Sequence, residues 1–134
     1  MLALGACAAP STTVSQAQAA GNCDLSNFLA VQHAHVNRAE VTLCGSVTRV
    51  RSVRTGRSGA HRDFVVEVGH NDTIEIDANV DVMGDFPISS GEKITVRGEY
   101  YYDGGGREGV HFTHHARGGR HESGYLILAG RRYE

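Results

Sequence analysis

The chain has no tryptophan, only two prolines and three cysteines, and no run of 18 apolar residues. The missing apolar run excludes a membrane-spanning helix. The cysteines include no C-x-x-C pair, which removes thioredoxin-like redox chemistry and the usual zinc-finger spacing. There is no G-x-S-x-G elbow, so no nucleophilic serine of the α/β-hydrolase kind stands out. The glycine-rich segment "GGGREG" lacks the strand–loop–helix context of a phosphate-binding loop, and a hairpin turn accounts for it. A net charge of −2 gives no general warrant for nucleic-acid binding.

What is present is glycine and histidine, 17 and 8 respectively in 134 residues. Glycine at that level points to tight turns and a β-rich domain. One domain of this length buries roughly 65% of the surface its unfolded chain exposes, enough for a core. Charge is uneven along the chain. Arg49, Arg51, Arg54, Arg57 and Arg62 follow one another with no acid between them, whereas Asp63 to Asp103 is acidic, with only Lys93 and Arg97 against it.

The opening "MLALGAC" is similar to a bacterial lipoprotein box, Leu4-Gly5-Ala6-Cys7, in which Cys7 carries the lipid and anchors the protein to the outer membrane or another envelope membrane. A leader of this kind needs a basic start and about 7–15 apolar residues. The stretch before Cys7 is shorter, so a start upstream, or a trimmed sequence, is expected. Residues 8–22 are small, polar and aperiodic, as in a tether. The division is therefore 1–22, leader remnant and tether, and 23–134, folded domain. With Cys7 lipidated, Cys23 and Cys44 remain to form a disulfide, worth about 3 kcal/mol in an oxidising compartment. These features make an exported protein of the periplasm or cell envelope the expectation.

From Cys23 the apolar positions Leu25, Phe28, Leu29, Val31 and Ala34 fit one helix face, with Asp24 or Ser26 as N-cap. After it the period changes to two. Val41, Leu43, Gly45 and Val47 mark a first strand. Phe64, Val66 and Val68, a turn at Gly69–Asp72, and Ile74 and Ile76 mark a hairpin. "VDVMGDFPISSGE" breaks both periods and suits a short helix or irregular turn. "KITVRGEYYYD" is a fourth strand with Ile94, Val96, Gly98 and Tyr100 inward, "VHFTHHA" a fifth, and "GYLILAGRRY" an added hairpin or edge strand. Three strands, a break and two more is the order of a small OB-like Greek-key barrel, here mainly β with a short N-terminal helix. A sandwich or open meander competes. Gly45, in the middle of a long first strand, favours the barrel, whose strands must bend.

"HFTHHARGGRH" holds His111, His114, His115 and His121. Alternation puts Val110, Phe112 and His114 inward and His111, Thr113 and His115 outward. An inward His114 is more often a hydrogen-bonded core residue than a ligand. In OB order the fifth strand lies between the third and fourth, so Glu75, Asp77, Glu99, Tyr101, His111, Thr113 and His115 are expected on one face, which His61 and His121 join from loops. Imidazoles beside carboxylates suit a zinc-like ion or acid–base chemistry near neutral pH. His111 and His115 lie about 13 Å apart along a strand, too far to share one ion without a bulge. Pairing of His115 with His121, or of His111 with a carboxylate, is easier.

Taken together, "GSVTRV", "HRDFVVEV", "GDFPISSGEKITVRGEY", "GVHFTHHARGGRHESGY" and "GRRY", spread over residues 40–133, resemble the domain of unknown function 3465 family of small exported bacterial proteins. Members of that family typically have Trp at the place of Phe112 and Asp at that of Ala116. The resemblance implies that His61, Asp77, Glu99, His111, Thr113, His114, His115 and His121 are the positions to watch, and it implies no activity. Three expectations result. The first is an exported, lipid-anchored OB-like domain that binds an anionic polymer or small molecule through the outer face and the loop bearing Arg51, Arg54 and Arg57. The second is a metal-assisted hydrolase or nuclease with His111, His115 and His121 around a zinc-like divalent ion. The third is a structural envelope protein.

Overall fold

The computed structural model describes residues 23–69 and 71–134; Cys7 and the tether of residues 1–22 lie outside the described residues. Helix α1 spans Leu25–His33, where the Asp24 carboxylate accepts the Asn27 amide at 3.0 Å and so caps the first turn. The strands follow in order: β1 Ala39–Val50, β2 Arg54–Gly56, β3 Gly59–Gly69, β4 Asp72–Asn79, β5 Lys93–Tyr102, β6 Glu108–His111, β7 Tyr125–Leu128 and β8 Arg131–Tyr133. Between β4 and β5 lies the one-turn helix α2, Val80–Met83, started by the Asn79 side chain accepting from the Asp81 and Val82 amides. The expected short helix after the hairpin is therefore present.

Five strands close into a barrel in the order β1-β3-β4-β6-β5, and β5 pairs back onto β1. All pairings are antiparallel except β4 with β6, which is parallel and bridges at Ile76–Val110. This is the OB-like barrel, with β7 and β8 added as a hairpin at the free side of β5 and β2 as a short partner of β3. β1 turns the corner of the closed sheet. Its first half, Ala39–Ser46, pairs with β5, and from Ser46 onward it pairs with β3, with a register shift between Val47 and Arg49. At the crossover sits Gly45. A Cβ there would collide with the Glu67 carbonyl and the Val66 side chain of β3, so only glycine permits that approach.

The inward alternation is as expected through β1, β3, β4 and β5: Val41, Leu43, Val47, Phe64, Val66, Ile74, Ile76, Ile94, Val96 and Tyr100 are buried. α1 closes one end with Phe28 and Val31, and the fully buried Phe28 alone contributes about 2 kcal/mol from apolar area removed from water. The Cys23–Cys44 disulfide, Cα–Cα 5.8 Å, fastens the start of this helix to β1. Inside, the Tyr100 hydroxyl donates to Glu108 at 2.6 Å, and Gln32 donates to the other carboxylate oxygen at 2.9 Å, so the carboxylate beneath α1 is satisfied from both sides.

Two features depart from expectation. The basic loop is not a plain loop: Arg54–Gly56 pairs with Gly59–His61, and Arg57 and Ser58 form a two-residue turn. The fifth strand ends at His111, because Phe112 takes a left-handed backbone, φ 53°. That single residue inverts the alternation beyond it.

Candidate functional site

Register places one row of polar side chains across three strands of the outer face. Glu40 on β1 is opposite Glu99 on β5, and Glu99 is opposite His111 on β6. The His111 Nε2 and Glu99 Oε1 atoms lie 3.1 Å apart, and the Tyr101 ring, two residues along β5, packs against the imidazole at 4.9 Å. Glu40 is the tight member of the row, with its side chain 18% exposed and Oε1 without a hydrogen-bond partner. Burial pushes its carboxyl up to about 7; the Arg97 guanidinium, 3.6 Å away, opposes that rise, while Glu122 and Glu99 add to it. Burial also raises Tyr101, reinforced by Glu75 and Asp77.

Beyond His111 the expected parity is corrected. Phe112 is not in the core: the positive φ turns it outward and leaves it 36% exposed. Thr113 is not on the outer face: it is fully buried and its hydroxyl donates to the Asp77 carbonyl at 3.0 Å, fixing the loop to β4. His114 is half-buried instead of core, with Nδ1 at 2.9 Å from the His115 carbonyl, and burial lowers its pKa. The flip creates a column of rings. Phe112 lies between His111, at 4.0 Å, and His121, at 4.3 Å and nearly parallel, and His114 meets the edge of His121 at 4.8 Å. Phe112 thus separates the two imidazoles that were candidates for a shared ion, and the His115 ring is met by Arg117 at 3.4 Å. Among the described residues no group of three or more His, Cys, Asp or Glu side chains is arranged to hold a metal ion.

A second cluster occupies the β2–β3 edge. His61 Nδ1 is 2.5 Å from Asp77 Oδ1, and its Nε2 is 2.8 Å from the Ser58 hydroxyl. The arginines turn back onto this face. Arg54 donates to Asp63 at 2.7 Å and reaches Asp77 at 3.5 Å, Arg51 pairs with Glu75 at 3.0 Å, and Arg62 pairs with Asp85. The basic run is therefore largely neutralised by the acidic centre of the chain, and of the three candidate arginines only Arg57 is in no ion pair among the described residues.

A cleft of about 300 Å³ opens where β4 and β6 diverge from their single bridge, lined by Val65, Glu75, Tyr101, Arg107 and Glu108 among others. The structure thus brings together two groups from the expected set: Glu99, Tyr101, His111 and His121 in one, His61, Asp77 and Arg54 in the other, joined by Thr113. Three participants were not identified from the sequence. Ser58 had a signal, since Gly56 and Gly59 bracket a two-residue turn that brings a serine within reach of His61. Glu40 and the exposed Phe112 had none, because cross-strand register and a positive φ at a bulky residue are not written in the period.

Neither a curated protein nor a solved structure matches the chain. A family model described as "Protein of unknown function (DUF3465)" matches residues 11–134. With nearly its whole length covered, the chain belongs to the DUF3465 family.

Proposed function

We propose that this protein is an exported, lipid-anchored component of the cell envelope whose barrel binds a small polar ligand on the β4–β6–β5 face. The observation that carries the reading is the cleft at the parallel seam, where Tyr101 forms a wall shared with the His111–Glu99 pair and Glu75 and Arg107 offer charges of both signs. A site of roughly 300 Å³ with one aromatic wall and a few convergent polar groups suits a monosaccharide- or nucleoside-sized molecule. An anionic polymer is less suited, since Arg51 and Arg54 already have carboxylate partners. The Cys23–Cys44 bond supports export, because such bonds persist in oxidising compartments.

The binding reading is tested by titrating the protein with a panel of monosaccharides, nucleosides and amino acids while following backbone amide NMR shifts. Changes centred on Tyr101 and Arg107, abolished in Tyr101→Ala, support it; a panel that moves no resonance there refutes it. Anchoring is tested separately, by incorporation of labelled palmitate into the full chain and its loss in Cys7→Ser.

A further inference from the structure

We infer that Ser58, His61 and Asp77 form a nucleophile–base–orienter relay and that the β2–β3 turn hydrolyses carboxylic esters. The inference is independent of the ligand-binding reading and uses another edge of the barrel.

The partners set the direction of the hydrogen bonds when His61 is neutral. An ionised Asp77 accepts only, so Nδ1 of His61 carries the proton that Asp77 holds; Nε2 is then the lone-pair nitrogen, and the Ser58 hydroxyl donates to it across 2.8 Å. That is the arrangement in which imidazole takes a serine proton as the oxygen attacks. The two sides of the ring differ in environment. His61 is 12% exposed and Asp77 lies against it on β4, while Ser58 is exposed at a turn where water alone would satisfy its hydroxyl. The turn itself is held from two directions: Asn79 donates to the Ser58 carbonyl at 3.0 Å, and the Ala60 amide donates to Asp81 at 2.8 Å. Arg54 steadies the outer oxygen of Asp77. Donors for a developing oxyanion are the Arg57 and Ser58 amides, which stand at the turn outside the β2–β3 ladder, and the Arg57 guanidinium, which is in no ion pair among the described residues.

The reaction balances with water as the only co-reactant. Ser58 Oγ forms a bond to the ester carbonyl carbon as its proton passes to His61 Nε2. The carbon–oxygen bond to the leaving alcohol then breaks, and the alcohol departs with that proton, leaving Ser58 acylated. Water attacks the acyl carbon, gives its proton to Nε2, and the carboxylic acid leaves as the proton returns to Ser58. Ser58 is exposed at the turn, so the fitting substrate is an acyl group projecting from a larger molecule.

The test uses a fluorophosphonate probe on the full chain, with mass spectrometry of the labelled peptide, and p-nitrophenyl acetate turnover. Labelling at Ser58 that is absent in Ser58→Ala and slowed at least about 100-fold in His61→Gln supports the relay. Circular dichroism of each variant monitors the fold. Ser58→Cys adds a readout that a merely structural bond would not move: His61 should lower the pH at which this thiol alkylates, and Ser58→Cys with His61→Gln should restore that of a free thiol. Groups facing His61 in this profile are Asp77 on β4, Arg54 on β2 and Asp63 on β3. Absence of Ser58 labelling, or labelling and thiol alkylation indifferent to His61, overturns the inference.

Discussion

Two histidine-bearing regions share the outer face of this barrel and are built on opposite terms. At the β2–β3 edge a lone imidazole, His61, is engaged by a carboxylate on one nitrogen and a hydroxyl on the other. In the 111–121 loop, where histidines are dense, the imidazoles are engaged chiefly by rings: His111 by Tyr101 and Phe112, His121 by Phe112 and His114. The lesson is that imidazole density marks a surface, while proton traffic needs polar partners on both ring nitrogens. Perturbations should divide along that line.

The largest effect is expected from Gly98→Ala on β5. A Cβ there would lie 2.5 Å from the His111 carbonyl oxygen and 2.8 Å from Val110, in a place where the β6 backbone cannot withdraw without opening the barrel. A loss of about 3 kcal/mol in urea denaturation is the expected outcome. The same Cβ would lie 3.0 Å from the Thr113 side chain, so the loss reaches the residue that joins the two regions.

Next is the pH response of Glu40. Its folded-state pKa, about 7, lies above the ordinary 4.5, so the fold favours the protonated carboxyl. The associated stability is fully present below about pH 4.5 and is lost as pH rises through about 7. Glu40→Gln removes this dependence. Relative to the wild type, the variant should gain about 2 kcal/mol on going from pH 5 to pH 8. Equal pH profiles for the two proteins would show that Arg97 already neutralises Glu40.

Thr113→Val cuts the link between the regions. The buried hydroxyl is the one that donates to the Asp77 carbonyl, and valine leaves that oxygen without it in a site sealed from water. A cost of about 1.5 kcal/mol follows. Because Asp77 also orients His61, the variant should alter the His61 imidazole resonances as well as stability.

How far the sequence reaches is visible within these residues. The barrel was legible because Phe64, Val66 and Val68, then Ile74 and Ile76, recur at every second position, and because Gly45 falls where a closed sheet must bend. Outward placement of Glu75, Asp77, Glu99 and His111 followed from the same parity. Phe112 ended it. A single residue at φ 53° slips the pleat by one, and nothing in hydrophobic periodicity signals it, since a phenylalanine after Val110 reads as core. The pairing of His61 with Asp77 was missed for a different reason: His61 was expected in a loop, and it stands on β3. Asp77 is opposite Asp63 in the ladder, so His61 reaches it diagonally, a relation that depends on register and twist.

The smallest stability effect, and the finest test of the contrast, is Phe112→Ala. The ring is partly in water, so its loss removes stacking worth about 0.5–1 kcal/mol and little else. Its effect on the neighbours is larger than on the fold. With parallel stacking at 4.3 Å, the His121 ring lies inside the shielding cone of Phe112, and His111 at 4.0 Å lies partly within it. The carbon-bound ring protons of both histidines should move downfield in the variant, while those of His61, held by Asp77 and Ser58, should stay in place. Movement of all three would mean that the loop and the β2–β3 edge are one coupled surface; movement of none would mean that the imidazoles are held by Glu99 and the loop backbone without the phenyl ring.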